Sequence, residues 1–186
     1  SAVYPATLAV ARPGSRVEIL GLGTDSRQPD LAAIRALRAF GASVELTADR
    51  TVVASKDRAV GVELDCSGFP DAAVGLATLA ATASGPSRLG GLHTLRVKEC
   101  DRVAALAIEL RKVGCRIVEH PDSLEIVPPD HPWTSPRSIG TWDDHRMAMA
   151  FAVLGRSLGP LDIEDPACVG KSHPGFWQEL EALDAE

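Results

Sequence analysis

No apolar run in the chain approaches the roughly 18 or more residues that a membrane-spanning helix needs. The opening Ser1–Gly14 stretch has no basic n-region and no cleavage-like pattern behind a long apolar core. Together these absences predict a protein with no membrane partner and no secretory leader, in a reducing cytoplasmic setting. Cysteine is sparse. Cys66, Cys100, Cys115 and Cys168 are far apart, form no Cys-x-x-Cys pair and have no histidines at zinc-finger intervals, which argues against a disulfide framework or a structural metal. Positive charge is not in excess either: the net charge is -6 and the pI about 5.4, which argues against nucleic acid, whose phosphates favour a basic face. A local basic cluster can still hold a small anion. The sequence also lacks a P-loop, a Ser/His/Asp order and a His/Asp metal cluster. No cofactor or metal is therefore expected, and acid/base chemistry on a bound anion remains. With 45% hydrophobic and 24% charged residues, the 186 residues suit one domain with a real core.

Order along the chain repeats. The Ala-rich stretch Ala2–Ala11 leads to a strand at Arg16–Leu20, a helix over Asp30–Phe40 stopped by Gly41, and two short alternating segments, Ser43–Leu46 and Thr51–Ala54. A helix over Asp71–Thr82, a strand at Ser87–Leu92, a helix over Glu99–Val113 stopped by Gly114, and segments at Arg116–Glu119 and Ser123–Val127 follow in the same order. A third copy runs from a helix over Arg146–Leu158 through Leu161–Glu164 to a helix over Pro174–Leu183. The copies span about 1–61, 62–128 and 129–186, the first without an opening strand. In the second copy, Val103, Leu106, Ala107, Leu110 and Val113 recur at helical spacing, while Arg102, Glu109, Arg111 and Lys112 fall elsewhere on the wheel. The Ala-rich helices have almost no polar face. That pattern predicts helices packed on all sides at the centre with sheets outside them; an ordinary two-layer α/β sandwich is the alternative that periodicity leaves open.

Cations occupy unusual places. Lys98 and Arg102 flank one helix start, Arg146 opens another and Lys171 precedes a third. The macrodipole disfavours positive charge at a helix N-terminus, so these positions make sense if an anion lies between them. Taken singly, Lys98 and Arg102 read as solvated charges paired with Glu99 and Asp101. The acids at the same points, Asp71, Glu99, Asp101, Asp143 and Asp144, read first as caps or first-turn carboxylates, and Pro174 reads as a helix-start proline. His145 alone is a weak candidate for proton transfer.

Five segments in order carry a family resemblance over nearly the whole chain. Leu95-Arg-Val-Lys-Glu-Cys-Asp-Arg102 is similar to LRVKE(S/T)DR, Asp144-His-Arg-Met-Ala-Met149 to DHRMAM, Lys171-Ser-His-Pro-Gly-Phe176 to K(T/S)xPxF, Pro70-Asp-Ala-Ala73 to PDAA, and Gly23-Thr-Asp-Ser-Arg-Gln28 to a GxxSxQGD loop. The chain thus resembles the C-terminal half of the 3-phosphoshikimate 1-carboxyvinyltransferase (EPSP synthase) family. The resemblance implies an α/β fold: an inside-out α/β barrel domain of repeated βαβαββ units, one lobe of two, the other being the missing N-terminal lobe. It also implies transfer of the enolpyruvyl group of phosphoenolpyruvate to the 5-hydroxyl of shikimate 3-phosphate, in aromatic amino acid biosynthesis.

Residue by residue, the resemblance assigns Asp71 as proton acceptor near the shikimate hydroxyl and Glu99 as donor to the methylene carbon, with His145 and Lys171 assisting. Lys98 would meet the shikimate phosphate; Arg102, Arg146 and Lys171 would grip phosphoenolpyruvate. Three positions depart from the pattern: Thr94 stands where many relatives have an Asn that contacts shikimate, Pro29 replaces a Gly and implies a different turn, and Trp142 replaces a Tyr or Asn. A non-catalytic free-standing domain and the sister family acting on UDP-N-acetylglucosamine are the alternatives; the latter lacks the KE(S/T)DR and DHRMAM pair. As one lobe, the chain is expected to be inactive alone, whether it is a fragment or half of a split enzyme.

Overall fold

The structure, a computed structural model, describes residues 1–183. Helices without a polar face form its centre. α1 (Val3–Ala11), α3 (Ala73–Ala80) and α5 (His145–Leu158) pack directly on one another. Every residue of α3 is buried, as is the run Met147–Leu154 in α5. Such burial requires an apolar surface all round, and small residues let the backbones approach. A Cβ placed on Gly75 of α3 would already lie 3.3 Å from Val3 Cγ1 of α1.

Three sheets lie outside these helices. The first holds β1 (Arg16–Leu20), β2 (Ser43–Leu46) and β3 (Arg50–Ala54) in the antiparallel order β1-β3-β2, and packs on α1. The second holds β4 (Glu63–Asp65), β5 (Ser87–Gly90), β6 (Arg116–Glu119) and β7 (Leu124–Val127) in the order β4-β5-β7-β6, and packs on α3. β4 and β5 are parallel, joined through α3; β5-β7 and β7-β6 are antiparallel. β8 (Arg137–Ile139) and β9 (Leu161–Ile163) form a parallel pair joined through α5. Parallel neighbours need a crossover of this length. Alternation fixes which face turns inward: Thr51 and Val53 of β3 and Leu124 and Ile126 of β7 are buried. With α4 (Arg102–Lys112), the stretch from β4 to β7 reads β-α-β-α-β-β. Among the described residues the helices are central and no single sheet divides them, so the two-layer sandwich is ruled out.

Differences from the sequence reading are local. The helix expected over Asp30–Phe40 is α2 (Pro29–Ala36) continued by a 3₁₀ turn, Leu37–Phe40, and it ends at Gly41 with φ +95°, the left-handed conformation that glycine adopts freely. Pro29 occupies the first turn of α2, where its missing N–H costs nothing, so the Gln28–Pro29 junction starts a helix. Asp71 lies in a 3₁₀ turn, Pro70–Ala72, ahead of α3. α4 begins at Arg102, which leaves Lys98 and Glu99 in the preceding loop. α6 (Phe176–Ala182) starts two residues after Pro174, which sits in a turn. No local pattern places β4 and β8, because three-residue segments with a single apolar member give no alternation to read. The most consequential difference concerns α4, whose buried face includes Arg102 and Glu109, each 1% exposed. Among the described residues no helix is long and apolar enough to cross a membrane.

The helix trio tolerates no added volume. Ala77→Leu, at a fully buried position of α3, is expected to lower unfolding free energy by about 1–3 kcal/mol. Lys56→Ala at the surface should change it by less than about 0.5 kcal/mol. Urea unfolding midpoints check both.

Candidate active site

Arg102 organises the cluster. It is the first residue of α4, whose N-cap Asp101 accepts the Ala104 amide at 3.0 Å. Buried, its guanidinium must find a carboxylate for nearly every N–H. Nε lies 2.6 Å from Asp144 Oδ2, one Nη 2.8 Å from Asp71 Oδ1, and the other 2.7 Å from Glu99 Oε2 and 3.4 Å from Asp144 Oδ1. The solvated-pair reading of Arg102 is thereby corrected. Asp144 is fully buried and caps α5 by accepting the Arg146 amide at 2.8 Å, so one carboxylate holds both the helix start and the arginine.

Around this pillar stand the more exposed groups. Asp71 is half-exposed, with Lys98 Nζ 3.3 Å from Oδ1 and an Arg146 Nη 3.5 Å from Oδ2. Partial burial pushes the Asp71 carboxyl up, but Arg146, Lys98 and Arg102 together outweigh it and hold the group below the usual aspartate range. Asp71 is thus favoured in its ionised form. His145 is the first residue of α5; its Nδ1 is buried without a hydrogen-bond partner, 3.9 Å from Asp144 Oδ1. Burial lowers its pKa and favours the neutral ring, against the opposing pull of the Asp144 carboxylate.

Asp71, Lys98, Glu99, Arg102 and Arg146 are therefore brought into one network, with His145 at its side. Lys171 stands apart from them. It ends the 3₁₀ segment Pro166–Lys171, and its Nζ contacts the Asp143 carbonyl at 2.8 Å and Oδ1 at 3.3 Å. Asp143 and Trp142 both have left-handed backbone, φ +52° and +59°. For residues other than glycine this costs on the order of 1–3 kcal/mol each and needs support from the surroundings.

Two residues were missed. Asp144 reads first as a cap in the sequence; that it also pairs with Arg102 requires knowing that residues 42 apart in sequence meet. Tyr4, buried on α1, lies beside the Arg146 guanidinium, and burial pushes its phenol well above the ordinary value. As a lone apolar-stretch tyrosine it gave no signal. A hollow of about 550 Å³, lined by residues that include Glu63, Asp65, Arg88 and Ser123, includes no residue of the cluster. The cluster itself faces outward.

Solved structures first place the chain in a class. EPSP synthase from Acinetobacter baumannii superposes with a TM-score of 0.82 at 26% identity, covering 97% of this chain and 44% of that one. The enolpyruvyl transferase NikO from Streptomyces tendae superposes at 0.72 and 20% identity, covering 98% and 42%, a likeness of fold alone. The fold is that of the enolpyruvyl transferases. Residues 1–180 match the sequence model of EPSP synthase (3-phosphoshikimate 1-carboxyvinyltransferase), and the chain belongs to that family. Proteins named 3-phosphoshikimate 1-carboxyvinyltransferase from Nitrosomonas europaea and Pseudoalteromonas translucida are each 41% identical to it, over 177 and 175 residues. Each alignment covers 94% of this chain but only 41% and 40% of the relative, so the chain spans about two fifths of their length.

Asp144→Ala should destabilise the chain by about 3–5 kcal/mol, because it strands a buried guanidinium. Lys171→Ala, at an exposed pair, should cost under about 1 kcal/mol. Denaturant titrations distinguish the two. His145 gives a pH signature. Its folded pKa lies below the ordinary 6.5, so in the window beneath that value the unfolded chain binds more protons, and stability falls as pH drops from 6.5 towards the folded pKa. His145→Gln should flatten that slope, read from unfolding midpoints across the window.

Proposed function

We propose that this chain is the C-terminal lobe of an enolpyruvyl transferase, built of three units over about 1–61, 62–128 and 129–186, the first without its opening strand. It would supply one wall of a site that transfers the enolpyruvyl group of phosphoenolpyruvate to the 5-hydroxyl of shikimate 3-phosphate. The observation that carries this reading is the convergence of Lys98, Arg102 and Arg146, from two helix starts and a loop, on Asp71 at an outward face. Phosphoenolpyruvate and shikimate 3-phosphate are anions, and preorganised cations suit them. The rest of the site would come from the N-terminal lobe, and the four free thiols fit a reducing cytoplasmic setting.

In the chemistry that follows, the hydroxyl oxygen adds to C2 of phosphoenolpyruvate as Asp71 takes its proton. C3 receives a proton from Glu99 and becomes a methyl group. The tetrahedral intermediate then expels phosphate, which carries away the proton held by Asp71, while C3 returns its proton to Glu99, which restores the double bond. Glu99 lies beside the same Arg102 that binds Asp71, which places donor and acceptor on one rigid frame. Arg146 contacts Asp71 only at 3.5 Å and Lys98 is solvent-facing, so both can turn to substrate while Asp144 keeps Arg102 in place. Lys98 would meet the shikimate phosphate, and Arg102, Arg146 and Lys171 phosphoenolpyruvate. His145 and Lys171 would assist proton transfer. Thr94, whose hydroxyl is buried without a hydrogen-bond partner, would offer shikimate less than the Asn of its relatives.

In the complete enzyme, Asp71→Ala or Glu99→Ala should lower turnover by roughly two to four decades, as expected for a positioned proton-transfer group. Unaltered kcat at saturating substrate in Asp71→Ala would remove Asp71 from the mechanism. The chain alone should bind phosphoenolpyruvate no more tightly than about millimolar, and should transfer nothing. Orienting two reactants in a closed cleft is worth about 7–11 kcal/mol, which an open wall lacks. Phosphate release with both substrates, measured with and without the N-terminal lobe in trans, tests this; robust turnover by the chain alone would sink the one-wall reading.

A further inference from the structure

α4 grips the segment between β8 and α5 at two points, and only one belongs to the chemistry above. Arg102 holds Asp144 at one end. Glu109, seven residues on and so about two turns along the same face, holds the other end. One Glu109 oxygen accepts the Gly140 amide at 3.1 Å and the other accepts the Trp142 indole N–H at 3.0 Å. Lys112 Nζ lies 2.7 Å from Oε2. A helix that needed only packing would place an apolar side chain at so buried a position, since a buried carboxylate is costly without its partners. Apart from Lys112, its partners among the described residues lie in the 140–142 stretch.

That stretch leads into left-handed backbone. Trp142 and Asp143 are consecutive left-handed residues, and the Asp144 amide closes the turn on the Thr141 carbonyl at 2.9 Å. The groups assigned above to substrate lie directly downstream. Asp143 holds Lys171, Asp144 holds Arg102, and α5 opens with His145 and Arg146. Trp142, an outlier among the motif residues, supplies the indole N–H that the carboxylate accepts.

We propose that Glu109 is a positioning residue: by fixing Gly140 and Trp142 it sets the course of residues 140–144 and so the placement of Lys171, His145 and Arg146. The inference rests on the reading of those groups as a substrate surface. Glu109→Gln in the full chain keeps the volume but offers one acceptor oxygen to two donors. Amide hydrogen exchange over 140–146 is expected to quicken about tenfold, the equivalent of losing one charged hydrogen bond. Phosphoenolpyruvate binding should weaken by a similar factor; in the complete enzyme KM for phosphoenolpyruvate should rise more than kcat falls. Trp142→Phe, which removes only the indole donor, should move each readout the same way by less, and serves if Glu109→Gln does not fold. Unchanged exchange in this segment in both variants would overturn the proposal, as would faster exchange spread evenly over α1, α3 and α4, the sign of a residue that serves the fold alone. Failure of the unaltered complete enzyme to bind phosphoenolpyruvate, with the segment loosening as expected in the variants, would overturn the substrate reading while upholding the ordering role.

Discussion

A guanidinium with almost no access to water has to be neutralised within the protein, and the way Arg102 meets that requirement ties three parts of the fold together. Its partners come from the turn before α3, the loop before α4 and the cap of α5. Because these segments open α3 and α4 of the second sheet and α5 between β8 and β9, one side chain registers them against each other. Removing a single partner strands a charge, so the arrangement is held as a set. The cost of burying the pair is offset by geometry, with contacts of 2.6 to 2.8 Å to three separate carboxylates.

The same neutralisation decides how the outward face can behave. Cations at helix starts call for an anion, and here the anions are the protein's own Asp71, Glu99 and Asp144. Asp144 is buried and committed to Arg102, whereas Asp71 and Glu99 are half-exposed. An incoming anion therefore competes with the two carboxylates assigned to proton transfer. Binding and poising are coupled: cations drawn away from Asp71 towards substrate would relax the force that holds its pKa down and make it a stronger base.

Support for this face comes from packing as much as from charge. α3 and α5 begin at the cluster and run into the apolar centre with α1, so the helix starts are anchored by helix contacts that exclude water. Tyr4 on α1 reaches the same region and stands beside Arg146. Rigid helices, rather than loops, carry Arg102, His145 and Arg146; Lys98, Glu99 and Lys171 sit on the connecting segments.

Much of this was written in local pattern. The all-apolar faces of α1, α3 and α5 announced central helices, Gly41 and Gly114 marked helix ends, and the ordered motifs from Pro70 to Phe176 named the family. These are properties of neighbours in sequence: a helix's periodicity, a glycine's freedom at positive φ and a motif's spacing are fixed over a few residues. Tertiary structure alone decided that Arg102 and Glu109 lie on the buried face of α4, that Asp144 is a partner as well as a cap, and where β4 and β8 lie. On a helical wheel a charged residue reads as solvent-facing, because burial of charge is favourable only where a partner waits. Here each partner stands 30 or more residues away in the chain, Asp71 and Asp144 for Arg102 and Gly140 and Trp142 for Glu109, except the local Glu99 and Lys112. Sequence periodicity has no access to contacts of that range.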